Sequence, residues 1–360
     1  MFSPPSATIS ASINTGSTTE TINTTSPYSL LPADIIQAHI LPILDGCTLA
    51  SMGCVTPELR SLSSDEKLWS DICHSTWPST TTPHLRHLIS SFPGGGPRSF
   101  FSLSFQFPLF PSILSSNRHP PSLSPSCLLP EQLISAVDIF YRGKCIFSKV
   151  QETETVTGWF RCSPLRVDLL GPKESVPTPI RRPSHDDTCR DLYADLELSW
   201  IVIDPTAQRA VNLSSFRPVS VERHWLSGEL HVKYAAVMGG EVMCSVEVTC
   251  VGGGPGGSLV LHVREACLKM EEISGGHLNG KDSLVILQRL LEGKRGNLCG
   301  KGGMKGRVEE GRRRYLEYLE RKKERKEKML RREGKLDDMC VGIGVLLIIG
   351  LIYVICFCSR

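Results

Sequence analysis

The chain contains one glycine-rich motif that could bind phosphate. Gly275 and Gly280-Lys281 have the spacing of a phosphate-binding loop. In such loops the backbone N–H groups hold phosphate, and a following Ser or Thr hydroxyl binds magnesium. Here Asp282 stands at the Ser/Thr position, and its negative charge would lie where the phosphate should sit. The sequence therefore argues against a nucleotide site at this motif.

Metal-binding and hydrolytic patterns are also incomplete. No cysteine pair in the soluble part has zinc-ribbon spacing, and His84 with His87 lacks a glutamate and two further ligands. His185-Asp186-Asp187 lies in a proline-rich loop, which favours a solvated acidic turn over a catalytic dyad. Neither a nucleophile elbow nor a pair of glycosidase carboxylates is recognisable. We predict no catalytic residue, no metal site and no cofactor.

Three tryptophans could instead line a ligand groove. Trp159, Trp200 and Trp225 all fall in strand-like stretches. Aromatic residues at strand positions more often belong to the core than to a binding surface. We therefore predict that these side chains are buried.

The clearest elements are short amphipathic helices near the N-terminus. Pro32 suits a first helical position, Asp34 places a carboxylate in the positively polarised first turn, and Asp45-Gly46 indicates a turn. The first helix should therefore end by about residue 45.

Three more helix starts can be read from capping residues. Thr48 could cap a second helix, Thr56-Pro57 could open a third, and Ser63 with Glu66 has capping-box spacing. A fourth helix then carries an apolar stripe at helical spacing, formed by Leu68, Trp69, Ile72 and Cys73.

This region resembles an F-box, with Leu31-Pro32-Ala33-Asp34-Ile35-Ile36 as its opening signature and Glu66-Lys67-Leu68-Trp69 as its close. The resemblance implies a helical bundle that binds the Skp-type adaptor of a cullin ubiquitin ligase through exposed apolar residues. It covers about fifty of the 360 residues and is closest to plant F-box proteins with a repeat-free C-terminal domain. The matching adaptor-binding positions are Leu31, Pro32, Asp34, Ile35, Ile40, Leu41, Leu44, Leu49, Val55, Leu59, Leu68 and Trp69.

The match departs from the family pattern at three points. The spacing between Ile35 and Ile40-Leu41 is one residue longer than the commonest form, and Pro42 removes a helical hydrogen bond. Pro57-Glu58-Leu59 stands where an aromatic residue is usual. An ordinary helical subdomain without an adaptor surface is the alternative reading, because capping and stripe patterns occur in many helical proteins.

Composition is compatible with two globular domains. The chain has 360 residues, 41% of them apolar, and a formal net charge of +3, which gives no overall argument for nucleic-acid binding. Its 14 cysteines are scattered, and without a signal peptide we expect them to be mostly reduced. We expect a disordered Ser/Thr-rich tail at 1–27, the F-box at 28–77 and a Pro/Ser/Phe-rich joint at 78–130 that includes a short helix at 84–92.

Residues 131–293 read as a β-rich domain that would recognise a substrate. Short alternating runs separated by Gly, Pro and Asp turns are typical of antiparallel sheets. Residues 196–200 and 242–248 alternate most regularly, which predicts one wet and one buried face. The predicted elements are a lead-in helix at 130–137, strands at 138–150, 158–170, 192–203, 225–237, 241–251 and 258–269, and a closing helix capped by Asp282.

The C-terminus combines a charged helix with an apolar segment. A basic, helix-compatible linker spans 294–338, and its Glu–Arg/Lys pairs at helical spacing include Glu317 with Arg321 and Glu324 with Lys328. Residues 339–358 carry no formal charge, and a helix of that length is about 30 Å long, enough to cross a bilayer. The upstream basic residues favour a cytosolic N-terminal bulk, which predicts a single-pass tail anchor in an unspecified membrane.

The fold class is therefore α+β: a small helical F-box bundle, a mainly antiparallel β domain, a charged helix and one C-terminal transmembrane helix. The predicted function is a non-enzymatic substrate receptor of an SCF-type ligase, with a Skp-type adaptor, cullin and an unknown protein substrate as partners and no nucleic acid. One alternative is a membrane-anchored ligand- or glycan-binding β protein with a merely structural helical segment. Another is an enzyme whose site lies in the β domain, which would need clustered polar side chains in a pocket.

Overall fold

The computed structural model describes residues 32–106, 129–181, 186–252, 260–295 and 303–359. The chain divides into two compact units, Met1–Ile43 and Leu44–Arg360. In the first unit the described residues form one helical segment, α1, which is α-helical at Ala33–Ile35, π-helical at Ile36–Ile40 and 3-10 at Leu41–Ile43.

The second unit begins with a bundle of short helices. They are α2 (Gly46–Met52), α3 (Pro57–Leu62), α4 (Glu66–Thr76), a 3-10 turn (Pro78–Thr81), α5 (Pro83–Ser90) and α6 (Pro97–Phe105). The helix expected at 84–92 is therefore confirmed as α5. Phe100 and Phe101 of α6 are buried, so this part of the predicted joint packs against folded neighbours.

Side-chain caps set the starts of these helices. Thr56 caps α3 as expected, because its hydroxyl accepts the backbone N–H three residues later. The caps predicted at Thr48 and Ser63 are wrong. Instead the Asp45 carboxylate caps α2 by accepting the Thr48 N–H at 2.9 Å. The Asp65 carboxylate caps α4 by accepting the Leu68 N–H at 3.1 Å. These caps lie three residues before and two residues after the expected ones.

Two antiparallel sheets follow. The strands are β1 (Gln132–Tyr141), β2 (Lys144–Glu154), β3 (Arg166–Asp168), β4 (Val176–Arg181), β5 (Leu196–Asp204), β6 (Arg209–Asn212), β7 (Ser220–Arg223), β8 (Leu230–Met238), β9 (Val242–Gly252) and β10 (Val260–Glu272). One sheet has the order β2-β1-β5-β6, and the other has β3-β10-β9-β8-β7 with β4 also paired to β10. A shared apolar core contains residues from both sheets.

Helices complete this unit and correct several predictions. They are α7 (Gly158–Cys162), α8 (Asp186–Asp195), α9 (Gly280–Glu292) and α10 (Gly303–Cys358). The lead-in helix at 130–137 is wrong, because these residues enter β1. The strand at 158–170 is replaced by α7 and the short β3. Asn279, rather than Asp282, caps α9 by accepting the Asp282 N–H at 2.8 Å.

The expectation of one wet sheet face is also wrong. In β5 and β9 nearly all residues are buried, on both faces. On the six-stranded sheet, Tyr315 and Tyr318 of α10 pack with Val237 and Met243 in a second apolar cluster. On the other sheet, α6 packs against β6. Helices thus cover faces that the alternation pattern assigned to water.

The charged linker and the apolar segment form one continuous helix. α10 extends from Gly303 to Cys358, which corresponds to about 84 Å at 1.5 Å per residue. The predicted Glu324–Lys328 pair is present at 3.8 Å. Glu317 instead contacts Arg313, at 2.6 Å. The apolar end is long and apolar enough to cross a membrane by length and composition, and none of it is buried in the protein.

Gly46 allows close packing inside the helical bundle. A Cβ at this position would overlap the ring of Phe101, so a side chain would force the ring to move. We expect Gly46→Val to lower the free energy of unfolding by about 1–3 kcal/mol, as overpacked cores do. Urea unfolding of the full chain in detergent would measure this loss. Gly158→Val is the control, because nothing lies within 4 Å of the added Cβ, and an equal loss in both variants would contradict the explanation.

Candidate functional site

The opening signature of the F-box lies on α1. Pro32 is the residue before the helix, and Asp34 lies in its first turn. Both are exposed, as is Ile35, whose exposed fraction is 43%. Ile36, in contrast, is buried. Leu31, the first predicted site residue, lies outside the described residues.

The backbone of α1 accommodates the two departures in its sequence. A π-helical turn closes hydrogen bonds one residue further along the chain than an α-helical turn, so it can absorb an inserted residue. The π segment Ile36–Ile40 falls in the interval that is one residue longer than usual. The 3-10 turn Leu41–Ile43 then contains Pro42, which has no N–H to donate.

The second half of α1 contributes one exposed apolar residue that the sequence analysis missed. Ile43 has an exposed fraction of 79%, whereas Leu41 is fully buried and Ile40 half-buried. An exposed isoleucine costs free energy in a monomer, because apolar surface remains in water. No local signal in the sequence distinguishes Ile43 from the buried Leu41 two residues earlier.

The predicted positions in the second unit divide between surface and core. Val55, between α2 and α3, has an exposed fraction of 62%. Leu44 and Leu68 are half-buried. The remaining positions are buried and cannot present a surface to a partner, namely Leu49, Leu59 and Trp69.

Trp69 holds α4 in the bundle. Its indole N–H donates to the Ser63 carbonyl at 2.7 Å, and its ring lies 5.4 Å from that of Phe101. The guanidinium of Arg98 also lies over the tryptophan ring, 5.9 Å from its centre. Tryptophan at this position therefore stabilises the bundle through packing, one hydrogen bond and a cation–π contact.

A buried carboxylate connects the helical bundle to the first sheet. Asp138 on β1 accepts the backbone N–H of Ser79 at 2.8 Å and its hydroxyl at 2.6 Å. The Ser148 hydroxyl from β2 donates to the same carboxylate at 2.7 Å. Burial raises the pKa of Asp138 above its ordinary value, although these hydrogen bonds oppose the shift.

The half-buried Arg295 and the buried Arg307 connect the C-terminal segment to the same bundle. Arg295 donates to the carbonyls of Leu103 in α6 and Ala210 in β6. Arg307, at the start of α10, donates to the Phe105 carbonyl. Burial lowers the pKa of each guanidinium to about 10. Both remain charged at neutral pH and hold α6 in place.

The glycine-rich motif is not free to bind phosphate. The Gly280 N–H donates to the Ser163 carbonyl, and the Leu278 N–H donates to the Met270 carbonyl. The Asp282 N–H is already used by the Asn279 cap. These hydrogen bonds occupy donors that a phosphate would need.

An arginine side chain neutralises a cluster of three residues that could otherwise bind a metal ion. Atoms of Asp168, Glu265 and Cys267 lie within 4.8 Å of one another. The Arg166 guanidinium donates to both carboxylates at 2.8 Å, so a positive charge already neutralises them. Burial raises the pKa of the Cys267 thiol to about 12, which disfavours the thiolate that a metal would bind.

Other candidate residues are not brought together. His84 Nδ1 lies 3.0 Å from a carboxylate oxygen of Glu152, and His87 is exposed. His185 lies outside the described residues. Of the three tryptophans, only Trp200 is buried as predicted. Trp159 and Trp225 have exposed fractions of 80% and 87%, so the core assignment is wrong for these two.

Comparisons with known proteins cover nearly the whole chain. A probable F-box protein of Arabidopsis thaliana is 45% identical over 346 residues, which are 96% of this chain and 98% of that protein. A second Arabidopsis thaliana F-box protein is 42% identical over 339 residues, covering 90% and 88% of the two chains. A third is 42% identical over 328 residues, covering 88% and 92%.

No protein-family model matches the chain, and no solved structure resembles it significantly. Each of the three alignments covers at least 88% of this chain and at least 88% of the relative. The chain belongs to the plant F-box protein family.

Proposed function

We propose that this protein is the substrate-receptor subunit of an SCF-type E3 ubiquitin ligase. The observation that carries the proposal is the pair of exposed isoleucines on α1, Ile35 and Ile43, within a chain that belongs to the F-box family. Exposed apolar side chains next to the family's signature residues offer a surface for the Skp-type adaptor, and through it for cullin. Of the carried-over positions on α1, Pro32 and Asp34 are also exposed.

In this proposal the two sheets hold a protein target and the chain performs no chemistry itself. Ubiquitin transfer belongs to the partner enzymes. The receptor accelerates transfer by raising the local concentration of an acceptor lysine near the ubiquitin-loaded enzyme. The proposal assigns no catalytic role to the glycine-rich motif or to the cluster around Arg166, whose polar groups are engaged within the protein.

We further propose that the apolar end of α10 anchors the complex in a membrane as a single-pass tail. Residues 339–358 carry no formal charge, and the described part of this segment is exposed. Such a surface is unfavourable in water and favourable in a bilayer. The Lys- and Arg-rich portion before it favours a cytosolic position for the rest of the chain.

Charge on α1 tests the adaptor proposal. We expect the double variant Ile35→Asp/Ile43→Asp to weaken adaptor capture by about 100-fold, because burial of each isoleucine contributes about 1.5 kcal/mol or more. The measurement is a titration of the purified Skp-type adaptor against full-length protein in detergent.

Leu226→Asp provides the matched control. Leu226 is an exposed leucine with an exposed fraction of 74%, on the turn between β7 and β8. Adaptor capture by this variant should equal that of the unmodified protein. If the α1 double variant also captures the adaptor normally while remaining folded, α1 is not the docking surface and the merely structural reading gains support.

A further inference from the structure

A cavity of about 280 Å³ lies between α8, the loop before β7 and α10. The side chains that define it are Tyr193, Ser215, Arg217, Val219, Val308 and Arg312. Its volume is just below the roughly 300–1,000 Å³ of pockets that enclose drug-sized molecules. A space of this size suits one or two side chains of a peptide rather than a cofactor.

Several hydrogen bonds support the loop that forms one wall of the cavity. Phe216 has φ of 67°, in the left-handed region that is unfavourable for a bulky residue. Its N–H donates to the Ser214 hydroxyl at 3.2 Å, and that hydroxyl donates to the Leu198 carbonyl at 2.6 Å. Asn212 accepts the Ser214 N–H at 3.1 Å. Strained residues held this firmly are often found at ligand sites.

Most polar groups around the cavity are already engaged. Arg217 forms an ion pair with Glu197 at 2.6 Å and donates to the Ala194 carbonyl. The Tyr193 hydroxyl accepts the Val221 N–H at 2.9 Å. The Ser215 hydroxyl donates to the Arg217 carbonyl at 2.7 Å. These groups shape the cavity but have little capacity left for a ligand.

Arg312 differs from these groups. It is exposed, and within the described ranges it has no ion pair or hydrogen bond. Glu309, one turn earlier on α10, forms no ion pair with it among those residues. The neighbouring Arg313, in contrast, contacts Glu310 and Glu317. The cavity therefore combines apolar walls from Val219 and Val308 with one uncompensated guanidinium.

We infer that this cavity binds an acidic side chain of the protein substrate, with an adjacent aliphatic side chain against the valines. An arginine beside an apolar pocket matches a carboxylate in charge and hydrogen-bonding geometry. One free guanidinium suits the single charge of a carboxylate, whereas phosphopeptide sites use clusters of arginines. The inference rests on the proposed substrate-receptor function and specifies its recognition site.

Binding of short labelled peptides to the full chain in detergent tests this inference. The probe is a fluorescein-labelled peptide of sequence Gly-Ser-Leu-Glu-Leu-Ser-Gly, and its partner carries glutamine in place of glutamate. Fluorescence anisotropy should show binding of the glutamate peptide, with affinity at least about tenfold lower for the glutamine peptide and for the Arg312→Gln variant. Arg313→Gln is the matched control and should bind as the unmodified protein does.

A cavity-filling variant, a phosphoserine peptide and a measurement of adaptor capture separate the possible outcomes. Val308→Trp should fill the cavity and also abolish peptide binding, independently of charge. Equal affinity for the glutamate and glutamine peptides, or no binding of either, would overturn the inference. Tighter binding of a phosphoserine peptide than of the glutamate peptide would overturn the carboxylate assignment. Adaptor capture by Arg312→Gln should be unchanged, so a failure here is distinguishable from a failure of the adaptor proposal.

Discussion

Replacing Asp138 with alanine is expected to lower the free energy of unfolding by about 2–4 kcal/mol, because two buried donors would lose their acceptor. These donors are the N–H and hydroxyl of Ser79, a residue only 3% exposed. Ser148 is exposed and can donate to water instead. Removal of the buried Asp138 charge recovers part of this free energy. The unpaired N–H and hydroxyl of Ser79 cost more than that gain. Urea unfolding of the full chain in detergent would measure the change.

Asp138→Asn separates the hydrogen bonds from the charge. The amide oxygen can still accept the Ser79 N–H, so we expect a loss of less than about 1.5 kcal/mol. A loss as large as that of the alanine variant would show that charge, rather than hydrogen-bond acceptance, stabilises the junction between the helical bundle and the first sheet.

Stability should also depend on pH through Asp138. Its folded-state pKa is raised above the ordinary value of 3.8, so between these two pKa values the native state binds more protons than the unfolded state. Its contribution to the free energy of unfolding therefore rises as the pH falls through the folded-state pKa towards 3.8. The asparagine variant cannot titrate here. The stability of the unmodified protein relative to this variant should increase from pH 7 to pH 4, and a decrease would contradict the assignment.

Ending the chain after Asp338 is expected to release the protein from membranes. The removed residues 339–358 include twelve Val, Ile, Leu or Phe residues, each contributing about 0.3–0.6 kcal/mol to insertion at the centre of a span. Their sum of about 4–7 kcal/mol corresponds to a change in partitioning of a thousandfold or more. Flotation of the full and shortened chains with liposomes would measure it.

Two arginine substitutions, one inside and one outside the apolar segment, give a matched comparison of membrane insertion. Leu347→Arg should weaken insertion, because an arginine near the centre of a span costs about 2.5–3.5 kcal/mol. Leu316→Arg places the same charge on an exposed position of the same helix, outside the apolar segment, and should float normally. If the shortened chain still floats with liposomes, another surface holds the membrane. Adaptor capture by the shortened chain should persist.

Local signals in the sequence were sufficient for several helix starts. Thr56 next to Pro57 defines α3 because the hydroxyl cap and the proline ring act within one turn. The π turn at Ile36–Ile40 was not predictable in the same way. One extra residue can be absorbed by a π turn, a kink or a loop, and the choice depends on which side chains become buried.

The errors in the β region arise from tertiary burial. Residues 133–137 form a run that is apolar except for Ser135 and does not alternate, and such a run fits a buried strand or a buried helix equally well. Burial of both faces of β1 explains the missing alternation. The wet face predicted for β9 is covered because α10 buries Tyr315 and Tyr318. In sequence these tyrosines are surrounded by charges, which concealed the apolar face of the helix.

The candidate recognition cavity was not predictable because its residues are far apart in the sequence. Tyr193, Val219 and Arg312 meet only when α10 lies across the sheet. Arg312 reads as one member of a basic run, and nothing local shows that Arg313 is paired while Arg312 is not. The exposed Trp159 and Trp225 are a similar case, since strand propensity does not reveal that these residues lie in α7 and in a hairpin turn.

Under the proposed function, the continuity of α10 would limit which targets the protein can reach. Lys322 contacts Glu271 of the sheet at 3.3 Å, and from Lys323 to Leu336 every helix residue is exposed. The 18 residues from Lys322 to Met339 span about 25 Å as a helix. Under the proposed anchorage this segment would hold the sheets at a fixed height above the lipid headgroups. Proteins lying flat on the bilayer would then be out of reach, whereas those with cytosolic domains projecting a few nanometres would be able to contact the sheets.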